Sequence, residues 1–255
     1  MSNKLQKTLD EVKKSNEKLK QDIILREEMD QFRKRFIADA SHELKTPLTV
    51  MKGICEGVRD GIYDGNDNEN FKNILNEIND MSKLVHDLLE SSKLESCNVE
   101  SKTRIFQLSD VVLKTHSKLK HLIEDKKLKV LLELYEDFVL ADEDKIERVI
   151  SNLYCNAVQY TPEEGEINIC MKKEEDKCFL IIENSPAKIP KKDLGKIWEP
   201  FYRVEKSRNK TLGGSGLGLN MAKTIFESHD SEYGIENTST GVRVYFCLKR
   251  IEEEE

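Results

Sequence analysis

Proline is scarce, with five in 255 residues, and tryptophan occurs once. No apolar run approaches the ~18 residues that a membrane-crossing helix needs. The first residues, MSNKLQKTLDEVKK, lack the apolar core of a secretory leader. The six cysteines (Cys55, Cys97, Cys155, Cys170, Cys178 and Cys247) form no CxxC pair and have no histidine at ligand spacing. That pattern argues against a disulfide framework or a zinc site and for reduced thiols filling a core. An excess of basic residues is also missing. Lys and Arg number 41 against 48 Asp and Glu, a net charge of −7, which argues against a nonspecific nucleic-acid surface. What remains is a charge-rich chain, 35% charged and 38% apolar, with enough apolar material for one large domain or two modest ones.

The first thirty residues contain neither proline nor glycine. Leu5, Leu9, Val12, Asn16, Leu19 and Ile23 alternate four and three apart, the seam of a coiled coil, with Asn16 as a polar register-setter. Met29, Phe32 and Phe36 then define a shifted stripe, a stutter in the coil. The helix is predicted to run through His42 to about Arg59. The stretch DGIYDGNDNEN marks a turn. A second amphipathic helix, from about Asn70 to Glu95, carries Phe71, Ile74, Leu75, Ile78, Met81, Val85, Leu88 and Leu89 on its apolar side. Two antiparallel helices bury too little alone, so the hairpin is expected to pair with a second copy as a four-helix bundle. The chain thus divides into a coiled-coil helix (1–30), a helical hairpin (31–97), a hinge (98–103), an α/β sandwich (104–250) and an acidic tail (251–255). In the sandwich, strand-like runs over Lys129–Tyr135, Glu166–Met171, Cys178–Glu183 and Arg243–Leu248 alternate with helical runs over Leu108–Asp125, Glu143–Tyr160 and Leu217–Ser228.

Four stretches carry phosphate chemistry. In NLYCNAVQYTP, Asn152 and Asn156 share one helix face. Side-by-side amide oxygens suit Mg2+, which takes few protein ligands, although such a pair is by itself ordinary helix surface. IIENSPAKIP ends a strand on Asn184 and is expected to turn into a helix at Lys191. LGGSGLGLNMAKTIFESH opens a helix on a glycine run (Gly214, Gly216, Leu217, Gly218), where bare backbone N–H groups and the helix dipole favour phosphate. It is not a P-loop, because no Gly-Lys-Ser/Thr follows. Between them, WEPFYRVEKSRNKTL spreads Arg203, Lys206, Arg208 and Lys210 along a polar loop anchored by Trp198 and Phe201, a candidate lid. Upstream, FIADASHELKTPLTVMKG sets a His-Glu pair and Pro47 inside an amphipathic helix. Proline lacks the donor for the carbonyl four residues back and clashes with it, so a bend is expected beneath His42.

In this order the motifs resemble those of sensor histidine kinases. Thr103 to Arg250 resembles their ATP-binding domain, the Bergerat-type fold also found in gyrase, Hsp90 and MutL, and SHELKTP resembles their phosphoacceptor box in the dimerisation hairpin. The resemblance implies that His42 is phosphorylated from Mg-ATP and passes the phosphoryl group to an aspartate of a response-regulator receiver domain. It implies further that Glu43 holds the ring tautomer and that Thr46 orients water for dephosphorylating the regulator. Asn156 would be the Mg2+ ligand, with Asn152 beside it, and Tyr160 would flank the nucleotide. Asn184 would accept from the adenine amino group, Arg203 would neutralise triphosphate charge, and Gly214, Gly216, Leu217 and Gly218 would frame the phosphates. Four residues make three departures from the family pattern. Asn184 stands where the family usually has Asp, Pro186 and Lys188 replace glycines, and Gln159 replaces a common Lys or Arg. The expected setting is a cytoplasmic homodimer, either a soluble kinase or the inner part of a membrane sensor whose spanning segment lies upstream. An ATPase clamp of the same fold and an ATP-binding pseudokinase scaffold are the alternatives.

Overall fold

The structure is a computed structural model that describes residues 2–63, 68–95, 102–204 and 215–251, with side chains from residue 13 onward apart from 25, 28, 94 and 95. It divides into two compact units, residues 1–78 and 79–255.

Helix α1 runs unbroken from Ser2 to Arg59, 58 residues with Pro47 inside it. Of the expected coiled-coil seam, the side chains of Leu5, Leu9 and Val12 lie outside the described residues, and Asn16, Leu19 and Ile23 are exposed. Lower down, Phe36, Ala40, Leu44, Pro47, Met51, Ile54 and Val58 are half-buried or buried and recur three and four apart. That periodicity is one face of a helix. The helix closes on a glycine cap. Ile62 N donates to Gly57 O at 2.8 Å, Gly61 N donates to Val58 O at 3.2 Å, and Gly61 has φ +72°. Only glycine adopts that conformation without a Cβ penalty. Part of the predicted turn, residues 64–67, lies outside the described residues.

Helix α2 covers Asn68–Glu95. Its apolar side, read from sequence as one stripe, splits into two faces. Ile74, Met81, Leu84 and Leu88 are buried or half-buried. Phe71, Leu75, Ile78, Val85 and Leu89 are exposed by 42–58%.

The remainder is an α/β sandwich. Strands β1 (Thr103–Gln107), β2 (Lys129–Glu133), β3 (Phe138–Asp142), β4 (Glu166–Glu174), β5 (Lys177–Ser185), β6 (Tyr233–Asn237) and β7 (Val242–Ile251) form one sheet. The order is β1-β3-β7-β5-β4-β2, with β6 also on β7. All pairs are antiparallel except β2 with β4. Helices α3 (Leu108–Asp125), α4 (Glu143–Tyr160) and α5 (Gly218–Ser228) share a core with the sheet. The period-two pattern of β4 and β5 decides which residues enter that core. Ile167, Ile169 and Met171 point in from β4, and Cys178, Leu180, Ile182 and Asn184 point in from β5. α4 meets them with Ile146, Val149, Ile150, Leu153, Tyr154, Ala157 and Val158, and Asp142 caps its start by accepting from Lys145 N at 3.3 Å. The helical expectation at Lys191 is corrected: residues 191–198 form consecutive turns. Asp193 N donates to Pro190 O at 2.8 Å and Ile197 N donates to Asp193 O at 3.1 Å, while buried Asp193 accepts from Tyr202 Oη at 2.8 Å. The short bonds and the side-chain clasp hold a compact corner where a helix would need continuous i to i−4 pairing.

Candidate functional site: an exposed histidine and a nucleotide-sized cavity

The histidine site is built by α1 alone. His42 is exposed and Glu43, the next residue, is half-buried. Successive helical side chains diverge by about 100°, and no hydrogen bond joins the two among the described residues. Thr46 lies one turn on, and its Oγ1 donates to the His42 carbonyl at 3.3 Å. Pro47, buried on the inner face, leaves the Glu43 carbonyl without its usual helical donor. Ser41 and Thr49 donate to the carbonyls of Ile37 and Lys45 at 2.7 and 2.8 Å. Such back-bonds loosen a helix, so three of them flank the proline-weakened turn.

The second site is a cavity of about 770 Å3 in the α/β unit. Asn156 and Tyr160 reach it from α4, Asn184 and Ile182 from β5, Val242 and Val244 from β7, and Leu219 from α5. Pro186, Lys188, Tyr202 and Arg203 also line it. Four sequence-predicted residues therefore meet in one cavity: Asn156, Tyr160, Asn184 and Arg203. Asn152 is not in its wall but faces Gly218, where an added Cβ would stand 3.6 Å from its Cγ. The side-chain amides of Asn152, Asn156 and Asn184 have no hydrogen-bond partner among the described residues. Leu217 is fully buried at the N-cap of α5, and among the described residues no side chain caps that start, which leaves the first N–H groups of the helix open to an anion.

The candidate lid is pinned at both ends. Phe201 N donates to Gly216 O at 3.0 Å, and a Cβ on Gly216, whose φ is +70°, would stand 2.8 Å from the Phe201 backbone. Glycine is required there for close approach as well as for conformation. Trp198 anchors the near end, its ring edge-on to Tyr233 at 5.1 Å and to Phe226 at 6.4 Å. Gly214, Lys206, Arg208 and Lys210 lie outside the described residues.

Three supports were not visible in sequence. Lys126 Nζ donates to the carbonyls of Val158, Gln159 and Thr161 at 2.8, 3.0 and 2.5 Å, stapling the end of α4 that carries Tyr160. Burial lowers its pKa. Asn237 clasps the wall at Ile189 through two bonds, of 2.8 and 2.7 Å, to its backbone N–H and C=O. Acidic residues of α2 reach this unit as well. Ser215 Oγ donates to Asp87 at 2.7 Å beside the glycine turn, and Arg148 of α4 pairs with Glu90. Each of these pairings spans more than thirty residues of chain, so local pattern carries no trace of it.

The chemistry of the donors fits a nucleotide. An apolar slot suits a planar base, the open start of α5 suits phosphate, and Arg203 adds positive charge. Among the described residues no three His, Cys, Asp or Glu side chains gather as a metal cage.

Residues 141–252 match the family of histidine kinase-, DNA gyrase B- and HSP90-like ATPases, and residues 32–97 match the His Kinase A phospho-acceptor domain. The α/β unit is thus an ATP-binding domain of that ATPase class, preceded by a phosphoacceptor hairpin. The chain belongs to the sensor histidine kinases of two-component systems. It is 32% identical over 249 residues to sensor histidine kinase WalK of Bacillus subtilis, covering 92% of this chain and 39% of that protein. It is 28% identical to sensor protein VanSB of Enterococcus faecalis, over 93% of this chain and 54% of that one. The chain therefore spans about half the length or less of these relatives. Among solved structures, histidine kinase AdeS of Acinetobacter baumannii superposes with TM-score 0.68 at 26% identity, over 83% of this chain and 98% of that one. Histidine kinase ThkA, solved in complex with response regulator protein TrrA, superposes with TM-score 0.69 at 26% identity, over 86% and 62% of the two chains.

Proposed function

We propose that this chain phosphorylates His42 from ATP held in the α/β cavity and then passes the phosphoryl group to an aspartate of a response-regulator receiver domain. The observation that carries the proposal is an imidazole presented to solvent on the phosphoacceptor helix, in a chain whose second unit has a nucleotide-sized cavity beside an uncapped helix start. Neutral imidazole is a competent nucleophile near pH 7. Its free ring nitrogen forms a P–N bond as the P–O bond to ADP breaks, and Glu43 takes the proton of the other ring nitrogen. In transfer the P–N bond breaks and a receiver carboxylate oxygen forms the new P–O bond. The ThkA complex, a histidine kinase with its regulator on it, supports that partner.

Tyr160 flanks the nucleotide, Asn184 meets its base, and Arg203 offsets triphosphate charge. Gly216, Leu217 and Gly218 present backbone N–H groups to the phosphates, and Gly214 belongs to the same run. Asn156, with Asn152 beside it, holds Mg2+, which offsets charge between the phosphates when bound. Positioning and electrostatics of this kind account for most of phosphoryl-transfer catalysis. Thr46, whose hydroxyl lies one turn from His42, orients water to remove phosphate from the regulator. The exposed stripe Phe71, Leu75, Ile78, Val85 and Leu89, with Ile37 and Leu48 exposed on α1, supports a homodimeric bundle. The setting we propose is cytoplasmic, with any membrane attachment made by chain upstream of this segment.

Incubation with γ-labelled ATP should label the protein with an acid-labile, base-stable phosphate, and His42→Gln should abolish the label. Full label on the variant refutes the assignment. Steady phosphate release with no protein label would instead indicate an ATPase clamp, and nucleotide binding without turnover a scaffold.

A further inference from the structure

The cavity wall contains polar groups of two kinds. Three are already committed: Thr161 Oγ1 donates to Ala157 O at 2.5 Å, Tyr202 Oη donates to Asp193, and Lys126 is spent on three carbonyls. Asn156, Gln159, Tyr160, Lys188 and Arg203 lie at half-buried or exposed positions of the wall. Asn184 differs from all of these. It is only 8% exposed, it is the fourth inward residue of β5 after Cys178, Leu180 and Ile182, and its amide has no partner among the described residues. Its cross-strand neighbours are Ile167 on β4 and Val242 on β7, so neither side offers a polar group that would fix which way the amide faces.

A primary amide carries one acceptor and one two-hydrogen donor on a planar fork that can be turned over. Turned one way, it accepts from a purine 6-amino group and donates to ring nitrogen N1. Turned the other way, it donates to a 6-oxo group and accepts from a protonated N1. Both pairings are bidentate, and apolar neighbours on either side make the two orientations close in energy. A carboxylate at the same place could only accept. Where one buried group provides base recognition, its donor and acceptor capacity sets which bases are refused, because a mismatched buried polar group stays unpaired.

We propose that Asn184 makes this pocket tolerant at the purine six-position, so that the chain binds and uses 6-oxo purine triphosphates as well as ATP. This rests on the cavity being the nucleotide site.

The test is direct binding of ATP, inosine triphosphate and cytidine triphosphate to the whole chain by calorimetry with Mg2+, followed by histidine labelling with each γ-labelled nucleotide. Inosine triphosphate changes the six-position and N1 without adding a 2-amino group. We expect its Kd within about tenfold of that for ATP, with the cytidine nucleotide weaker than both. Asn184→Asp should weaken inosine triphosphate relative to ATP by about a hundredfold or more. Inosine triphosphate more than about a hundredfold weaker than ATP on the unaltered chain overturns the inference while leaving the cavity assignment standing. An unchanged ATP-to-inosine ratio in Asn184→Asp does the same, as does equal binding of the cytidine nucleotide. Failure of ATP itself to bind overturns the assignment of the cavity, and this inference with it.

Discussion

The helical hairpin and the α/β unit treat apolar surface in opposite ways. In the α/β unit the inward face of each long strand is closed: Ile167, Ile169, Leu180, Ile182 and Phe246 are at most 2% exposed. On α2, Phe71, Leu75 and Leu89 are each more than half exposed. A sheet covered by three helices has a core within one chain, whereas a two-helix hairpin has two apolar faces and can cover only one. One region closes its apolar surface within a single chain and the other leaves a stripe of it open.

The largest effect should come from breaking the closed core. Phe246→Ala removes a ring stacked on Phe226 at 4.9 Å and should cost about 3–5 kcal/mol in urea unfolding of the α/β unit. The open face should respond in association instead. Leu75→Glu with Val85→Glu should turn the proposed dimer into a monomer in sedimentation, losing about 1.5–3 kcal/mol of burial per side chain while leaving nucleotide binding intact. A variant that stays dimeric would show that this stripe is not the seam. The smallest effect concerns surface charge on the closed unit. Hydrogen bonds from Lys114 and Lys118, both 2.7 Å long, hold the Glu147 carboxyl below its usual range. A depressed carboxyl pKa contributes stability above the unfolded value of about 4.5, and that contribution is lost as pH falls through the lower folded value. Urea midpoints taken across that acidic window should therefore fall less steeply for Glu147→Gln, and by a small margin, because exposed lysines are screened by water.

Some of this was legible in sequence. The 3.6 period delimited α3 and α4 to the residue, and the end of α1 at Arg59, because each has a continuous apolar stripe against polar neighbours. β1, β3 and β6 left no comparable trace. Each is five residues long, and β1 has a single buried position, Phe106, too little for an alternation. The amphipathic side of α2 was read as one stripe because Leu75 and Leu88 are equally apolar, and only packing separates the face that a single chain covers from the one it leaves open. The glycine run and the paired asparagines were legible because they are local features. Lys126 and Asn237 were not, because a cation holding carbonyls 32–35 residues away has no signature at its own position.

By itself, the order of residues determined the helical segments, the alternation that turns Asn184 inward, and the placing of His42 one turn before a hydroxyl and a proline. These are matters of backbone periodicity and of which residues can donate a hydrogen bond. Only the tertiary structure decided that Asn156, Tyr160, Asn184 and Arg203 line one cavity, that the corner after Pro190 turns where a helix was expected, and which apolar face of α2 stays bare. Those outcomes depend on strand order and on long-range pairing, where residues distant in the chain compete for the same surface.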